Sequence, residues 1–346
     1  MRRRRMRLVT WLVVAGWVVP AVAWAPARPA GGAEAAEPSA GETAPAGATP
    51  PAPSADTETE WRTHMVTGER AYRVRDFARA EAELSVALKV AEDFGKDDPR
   101  LILTLGRLVQ IYVAQGKHVT AIGPATRLLE AREETLGPKH LNVAEASNNL
   151  AGLYADSDKP AKAKPLLERA LAICKADSGG ERLQAIVLDN LGEVERDLDH
   201  LDAAESFARE GLALRKAQYG TNHRWYAKSL ETLGTILLTR GEAAKAEETL
   251  RESLSIRRSK IGWNRPLIIR SLVHLADACK AQKKHENAEN YYKQAIRMGE
   301  GGLGRNDDAR AEAFEGYADL LRQTDRADEA TEMADQAKTI RAALKK

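Results

Sequence analysis

The chain has 346 residues, of which 5% are aromatic and 29% charged, a balance that argues against a single large globular core. Its 52 Lys and Arg nearly match 50 Asp and Glu, but Arg2, Arg3, Arg4, Arg5 and Arg7 crowd the first seven residues; without residues 1–25 the count is 47 basic against 50 acidic. No cationic excess is then left for phosphate contacts, which excludes a nucleic-acid-binding surface of the ordinary kind.

Residues 1–25 have the order of an export signal: the basic stretch MRRRRMR, an apolar run from Leu8 to Val22, then small residues at Ala21, Ala23 and Ala25. Ala21-Val22-Ala23 offers a cleavage site after Ala23, and an uncleaved membrane anchor is the alternative. Under either reading the bulk of the chain lies across the membrane, periplasmic or secreted. No Cys ends the apolar run, so a lipid anchor is not expected. Residues 26–59 are Ala, Pro, Gly, Glu, Ser and Thr with almost no aliphatic side chain, a composition that cannot offset its ordering entropy and predicts a disordered linker.

From residue 60 to 346 one pattern recurs every 41 or 42 residues. Ala falls at 80, 121, 163, 204, 246, 288 and 330. Thirteen residues before six of these stands an apolar anchor, Leu108, Leu150, Leu191, Leu233, Leu275 or Tyr317, usually followed by a small residue such as Ala151, Gly192, Gly234, Ala276 or Ala318. Within one unit Leu150, Leu153 and Tyr154 share one helical face, and Ala163, Leu167, Ala170 and Leu171 share another, so each unit is two helices. Gly116, Gly241, Asp158, Asp199 and Asp325 mark the turns between them. The recurring Ala lets the two helices of a unit approach closely. Loops such as LGPKH at 136–140, YGTNH at 219–223 and IGWNRP at 261–266 separate units.

These residues resemble the tetratricopeptide repeat. The 42-residue period with NNLAGLY at 148–154, QGK at 115–117 and LGPKH at 136–140 is similar to the repeats of kinesin light chains and their bacterial relatives. The resemblance implies an all-α, right-handed superhelical solenoid of about seven helix-turn-helix repeats that binds a protein or peptide segment in a groove lined by the first helices. Two departures stand out. Thr67 replaces the anchor in the first unit, as in a degenerate cap, and Glu195 occupies an apolar place in the fourth, which should pack less tightly.

The residue before each anchor should face that groove: Arg107, Asn149, Asn190, Thr232 and His274, with Asp189, Glu193, Arg196, Glu231, Arg270, Asp277 and Lys280 beside them as a mixed-charge lining. Asn149 and Asn190 match the Asn by which such repeats hold a bound backbone. If the row is open to a ligand, replacing both by Ala should leave stability nearly intact. A solvated helix face without a ligand is the plainer alternative.

Signs of other chemistry are missing from the sequence. The seven His form no metal-ligand spacing, so no metal or cofactor is expected. Cys174 and Cys279 lie two and a half units apart and read as small packing residues. GEGGLG at 299–304 follows no strand and is an inter-repeat turn, and no catalytic motif appears. A non-enzymatic, exported interaction scaffold is the reading that follows. Its alternative is a structural part of an envelope assembly associating through solenoid edges or ends. The Lys338 and LKK terminus suggest a solvated cap against end-to-end stacking.

Overall fold

The computed structural model describes residues 54–260, 265–300 and 307–343. The signal and nearly all of the linker expected from the sequence, with most of IGWNRP and GEGGLG, lie outside these residues. The described residues hold fourteen α-helices and no strand. They fall into two bodies, meeting in sequence at Pro138 and Lys139.

The first body contains α1 (Ala55–Arg73), α2 (Phe77–Glu92), α3 (Pro99–Ala114) and α4 (His118–Leu136). Helix α1 starts at Ala55, five residues before the array expected from residue 60. Ser54 caps it by accepting the Thr57 N–H, and Asp56 and Glu58 place negative charge on its first turn. Met65, Ala71, Ala80, Leu84, Ala87, Leu108 and Ile111 form one buried cluster of this body. Thr67 is only half-buried and donates to the Thr63 carbonyl, so the anchor position of the first hairpin carries a hydroxyl satisfied within its own helix.

The second body contains five hairpins: α5 (Leu141–Asp156) with α6 (Pro160–Ala176), α7 (Glu181–Asp197) with α8 (Leu201–Tyr219), α9 (Arg224–Arg240) with α10 (Ala243–Lys260), α11 (Arg265–Ala281) with α12 (His285–Gly299), and α13 (Asp307–Gln323) with α14 (Ala327–Ala343). Each second helix packs on the first helix of the next hairpin, and successive first helices also touch. This is the helix-turn-helix solenoid that the repeat pattern predicts.

The recurring Ala is buried in every hairpin: all seven are at most 1% exposed. The six anchors are buried as well. The small residue after the anchor is needed for the same close approach. A Cβ on Gly234 would lie 2.6 Å from Leu250 Cγ, and one on Gly192 would lie 3.2 Å from the Ala204 carbonyl oxygen.

Every turn inside a hairpin has one residue in the left-handed region, at 75, 116, 158, 199, 241, 283 and 325, on the same 41- or 42-residue grid. Gly and Asp take it readily, but Arg75 (φ 65°) and Lys283 (φ 60°) do so against the clash of their Cβ. Those two turns carried no Gly or Asp signal in the sequence. The chain's geometry at the equivalent position imposes the conformation on them.

The terminal helix α14 buries only Ala330 and Ala337, and exposes Asp328, Glu329, Glu332 and Asp335. Its outer face is polar. Both cysteines are free and buried, with their thiols pushed up by burial to about 12 for Cys174 and about 11 for Cys279. Thiols held neutral in this way act as packing groups.

Candidate functional site

The residues expected to line a groove do not share one environment. In the first body Arg107 lies beside Glu69, with Nε 3.0 Å from the carboxylate, and donates to Gln110. A cavity of about 190 Å³ opens there, lined by Glu69, Tyr72, Arg73, Leu84, Arg107, Gln110 and Ile111. In the second body Asn149, Arg196, Arg270 and His274 are half-buried, whereas Asn190 and Thr232 are 5% and 1% exposed.

Asn190 and Thr232 are each hydrogen-bonded to the neighbouring repeat. The Asn190 side-chain amide donates to the Asn148 Oδ1 at 2.7 Å, joining α7 to α5, and the Thr232 hydroxyl donates to Glu193 at 3.2 Å, joining α9 to α7. These bonds tie one first helix to the next. At Asn190 the expectation that replacement leaves stability nearly intact meets a buried hydrogen bond that joins two first helices. An Ala there would strand the buried Asn148 oxygen.

The stitch between α7, α8 and α9 is ionic. Arg215 of α8 lies 2.8 Å from Asp189 of α7, donates to the Trp225 carbonyl of α9 at 2.8 Å, and shares Asp189 with the Ser229 hydroxyl. One repeat later every part recurs 42 residues on. Arg257 lies 2.6 Å from Glu231, and donates to the Leu267 carbonyl at 2.9 Å and to Ser271 at 2.6 Å. Both arginines and both acids are buried, so each charge is compensated where water is scarce. Burial pushes the Glu231 carboxyl up, but Arg257 and His274 outweigh it and hold the group well below the usual carboxylate range. In the next interval the places fall to Val273, Gly299 and Ala313, and the stitch ends.

These clamps escaped the apolar grid, although they were visible in it. Laying polar residues on the 42-residue period pairs Asp189 with Glu231, Arg215 with Arg257 and Ser229 with Ser271.

A second ladder runs along the second helices. The residue after the buried Ala is Glu in four hairpins, and it meets a cation from the following turn. Glu81 pairs with Lys117, Glu205 with Arg240, Glu247 with Lys284 and Glu289 with Arg326. Glu247 and Glu289 are raised by burial, but bonds from Lys284, Gln282 and Arg251, and from Lys293, Tyr317 and Arg326, bring both down to about 2.

Glu195 is a further buried carboxylate held by ion pairs. It is 2% exposed, with Lys164 and His200 each 2.7 Å from its carboxylate. Its unit was expected to pack less tightly; instead an ion pair from α6 and a turn residue fills the apolar place.

What remains accessible on the first-helix face of the second body is a set of mixed charge. Lys228 pairs with Glu193, Arg196 donates to Thr235, Arg270 faces Glu312, and His274 Nδ1 lies 3.4 Å from Glu231. Among the described residues no cluster of His, Cys, Asp and Glu could hold a metal ion, and no helix is long and apolar enough to cross a membrane.

Comparison with known proteins agrees with this architecture. Apo RapI is 15% identical over 83% of this chain and 99% of its own, with a TM-score of 0.64. A tetratricopeptide repeat protein from Parabacteroides merdae is 15% identical over 82% and 93%, with a TM-score of 0.59. PilW, described as a widely conserved type IV pilus biogenesis factor, is 18% identical over 72% and 97%, with a TM-score of 0.50. At these identities the likeness is one of fold. No curated protein matches the sequence. The tetratricopeptide repeat model matches residues 125–176, 177–259 and 267–343, more than half of the chain. With its period, buried Ala grid and stacked hairpins, the chain belongs to the tetratricopeptide repeat family.

Proposed function

We propose that this protein is a non-enzymatic scaffold that acts after export and holds a protein or peptide segment on the face made by its first helices. The observation that carries this reading is the half-buried set Asn149, Arg196, Lys228, Arg270 and His274, displayed on the first helices of four successive hairpins with Glu193, Glu231 and Glu312 beside it. A repeated scaffold presents such side chains at fixed intervals, which suits an extended ligand better than a small substrate. Arg107 and its cavity offer a comparable place in the first body. Export rests on residues 1–25, and the fold shared with PilW is compatible with a place in an envelope assembly.

A photo-crosslinking side chain at Asn149 or His274, compared with one at Glu168 or Arg251 on the second helices, tests the reading in the envelope of the producing cell. The same partner captured from both first-helix positions, and from neither control, supports it. Capture from the second-helix positions alone would move the contact to the outer edge and favour the structural-assembly alternative.

A further inference from the structure

The loops that open α5 and α9 share a feature that a scaffold does not require. His140 Nδ1 accepts the Asn142 N–H at 3.0 Å, and His223 Nδ1 accepts the Trp225 N–H at 3.3 Å. At the equivalent place before α3 the cap is Asp98, which accepts the Arg100 N–H at 2.8 Å. A carboxylate can cap a helix across the physiological range, whereas an imidazole can do so only while Nδ1 is unprotonated. Once protonated it has no lone pair to offer and places a positive charge at the positive end of the helix.

The α9 cap is also wired to the interior. The residue whose N–H it accepts is Trp225, and the carbonyl of that same residue takes the Arg215 bond. Arg215 in turn holds Asp189 and, through it, Ser229. Releasing the first turn of α9 therefore removes one of the bonds that positions the buried arginine between α7, α8 and α9. We propose that His223 makes the α8–α9 junction an acid-sensitive joint, closed at neutral pH and loosened at its first turn when the imidazole is protonated.

The surroundings favour the neutral ring. Tyr219 of α8 stacks on it with centroids 4.6 Å apart. Burial first, then Arg224 of α9 and Arg215 of α8, lower its proton affinity. Asp189 of α7 is engaged by Arg215, and Glu252 of α10 acts on Tyr226. Because the folded affinity is below the unfolded one, the contribution is complete above the unperturbed value of about 6.5 and is lost as pH falls through the folded value. At His140 the adjacent charge is Lys139, with Glu145 further along α5.

Hydrogen exchange of the full chain at pH 7.5 and 5.5, corrected for the intrinsic pH dependence, tests this with wild type, His223→Asp and His223→Ala. In wild type the Trp225–Ala227 amides should exchange roughly 5- to 10-fold faster at the lower pH, the scale of losing one cap. They should stay slow at both values in His223→Asp and be fast at both in His223→Ala. A wild-type profile without pH dependence, or one that persists in His223→Asp, overturns the proposal. That last comparison decides the matter even if His223→Ala does not fold.

Discussion

Arg215 Nη2 and Asp189 Oδ2 stand 2.8 Å apart, with both side chains less than 5% exposed. The pair joins the two helices of one hairpin while its remaining hydrogen bonds reach the next. Breaking such a pair leaves a buried charge alone, so Arg215→Met or Asp189→Asn should each cost about 3–5 kcal/mol. The double change Arg215→Met with Asp189→Asn should cost much less than the two added together. Urea midpoints of the four proteins measure this; additive losses would mean that the two charges do not depend on one another.

The left-handed turns predict a gain. Arg75→Gly and Lys283→Gly relieve a backbone clash of about 1–2 kcal/mol, less the roughly 0.5–1 kcal/mol that glycine costs through the unfolded chain. Each should raise the melting midpoint slightly, while Gly241→Ala, at φ 90°, should lower it. A loss from both glycine substitutions would show that the side chains contribute more than the strain.

Close approach of the paired helices predicts a loss at two places. Gly234→Ala would set its new methyl 2.6 Å from Leu250 Cγ, and Ala163→Trp would overfill a fully buried crossing. Overpacking of this kind costs about 1–3 kcal/mol, more for the larger change. An unchanged thermal midpoint for Ala163→Trp would remove the basis of the repeat register.

Acid should weaken the second-helix ladder. The folded Glu247 and Glu289 carboxyls, at about 2 against a usual 4.5, hold protons less firmly than in the unfolded chain. Their contribution is complete above about 4.5 and is lost as pH falls towards 2. Between pH 6 and 2.5 the midpoint of wild type should therefore fall more steeply than that of Glu247→Gln with Glu289→Gln. Parallel curves would show that these carboxylates are not preferentially ionised in the fold.

The fold was legible because its determinants are local and repeated. Ala163, Leu150 and their counterparts lie in the order in which they pack, and a solenoid makes contacts chiefly between neighbours in the sequence. Asp158, Asp199 and Asp325 announced their turns, whereas Arg75 and Lys283 did not, because nothing in an Arg or Lys signals a left-handed backbone. The groove row was harder. Its position relative to the anchor is a matter of periodicity, but its exposure depends on how near the adjacent first helix comes.

The sequence alone therefore determined the hairpin, its period and the small residues at its crossing, since these follow from which side chains share a helical face. Only the tertiary structure decided that Asn190 and Thr232 are joined to the neighbouring repeat while Asn149 and His274 retain exposure. It also decided that Arg215 and Arg257, charged residues on amphipathic helices, are turned inward. A buried charge is tolerated only where a carboxylate, a hydroxyl and a backbone carbonyl converge on it. Here that convergence draws on three helices, which no single helical period can reveal.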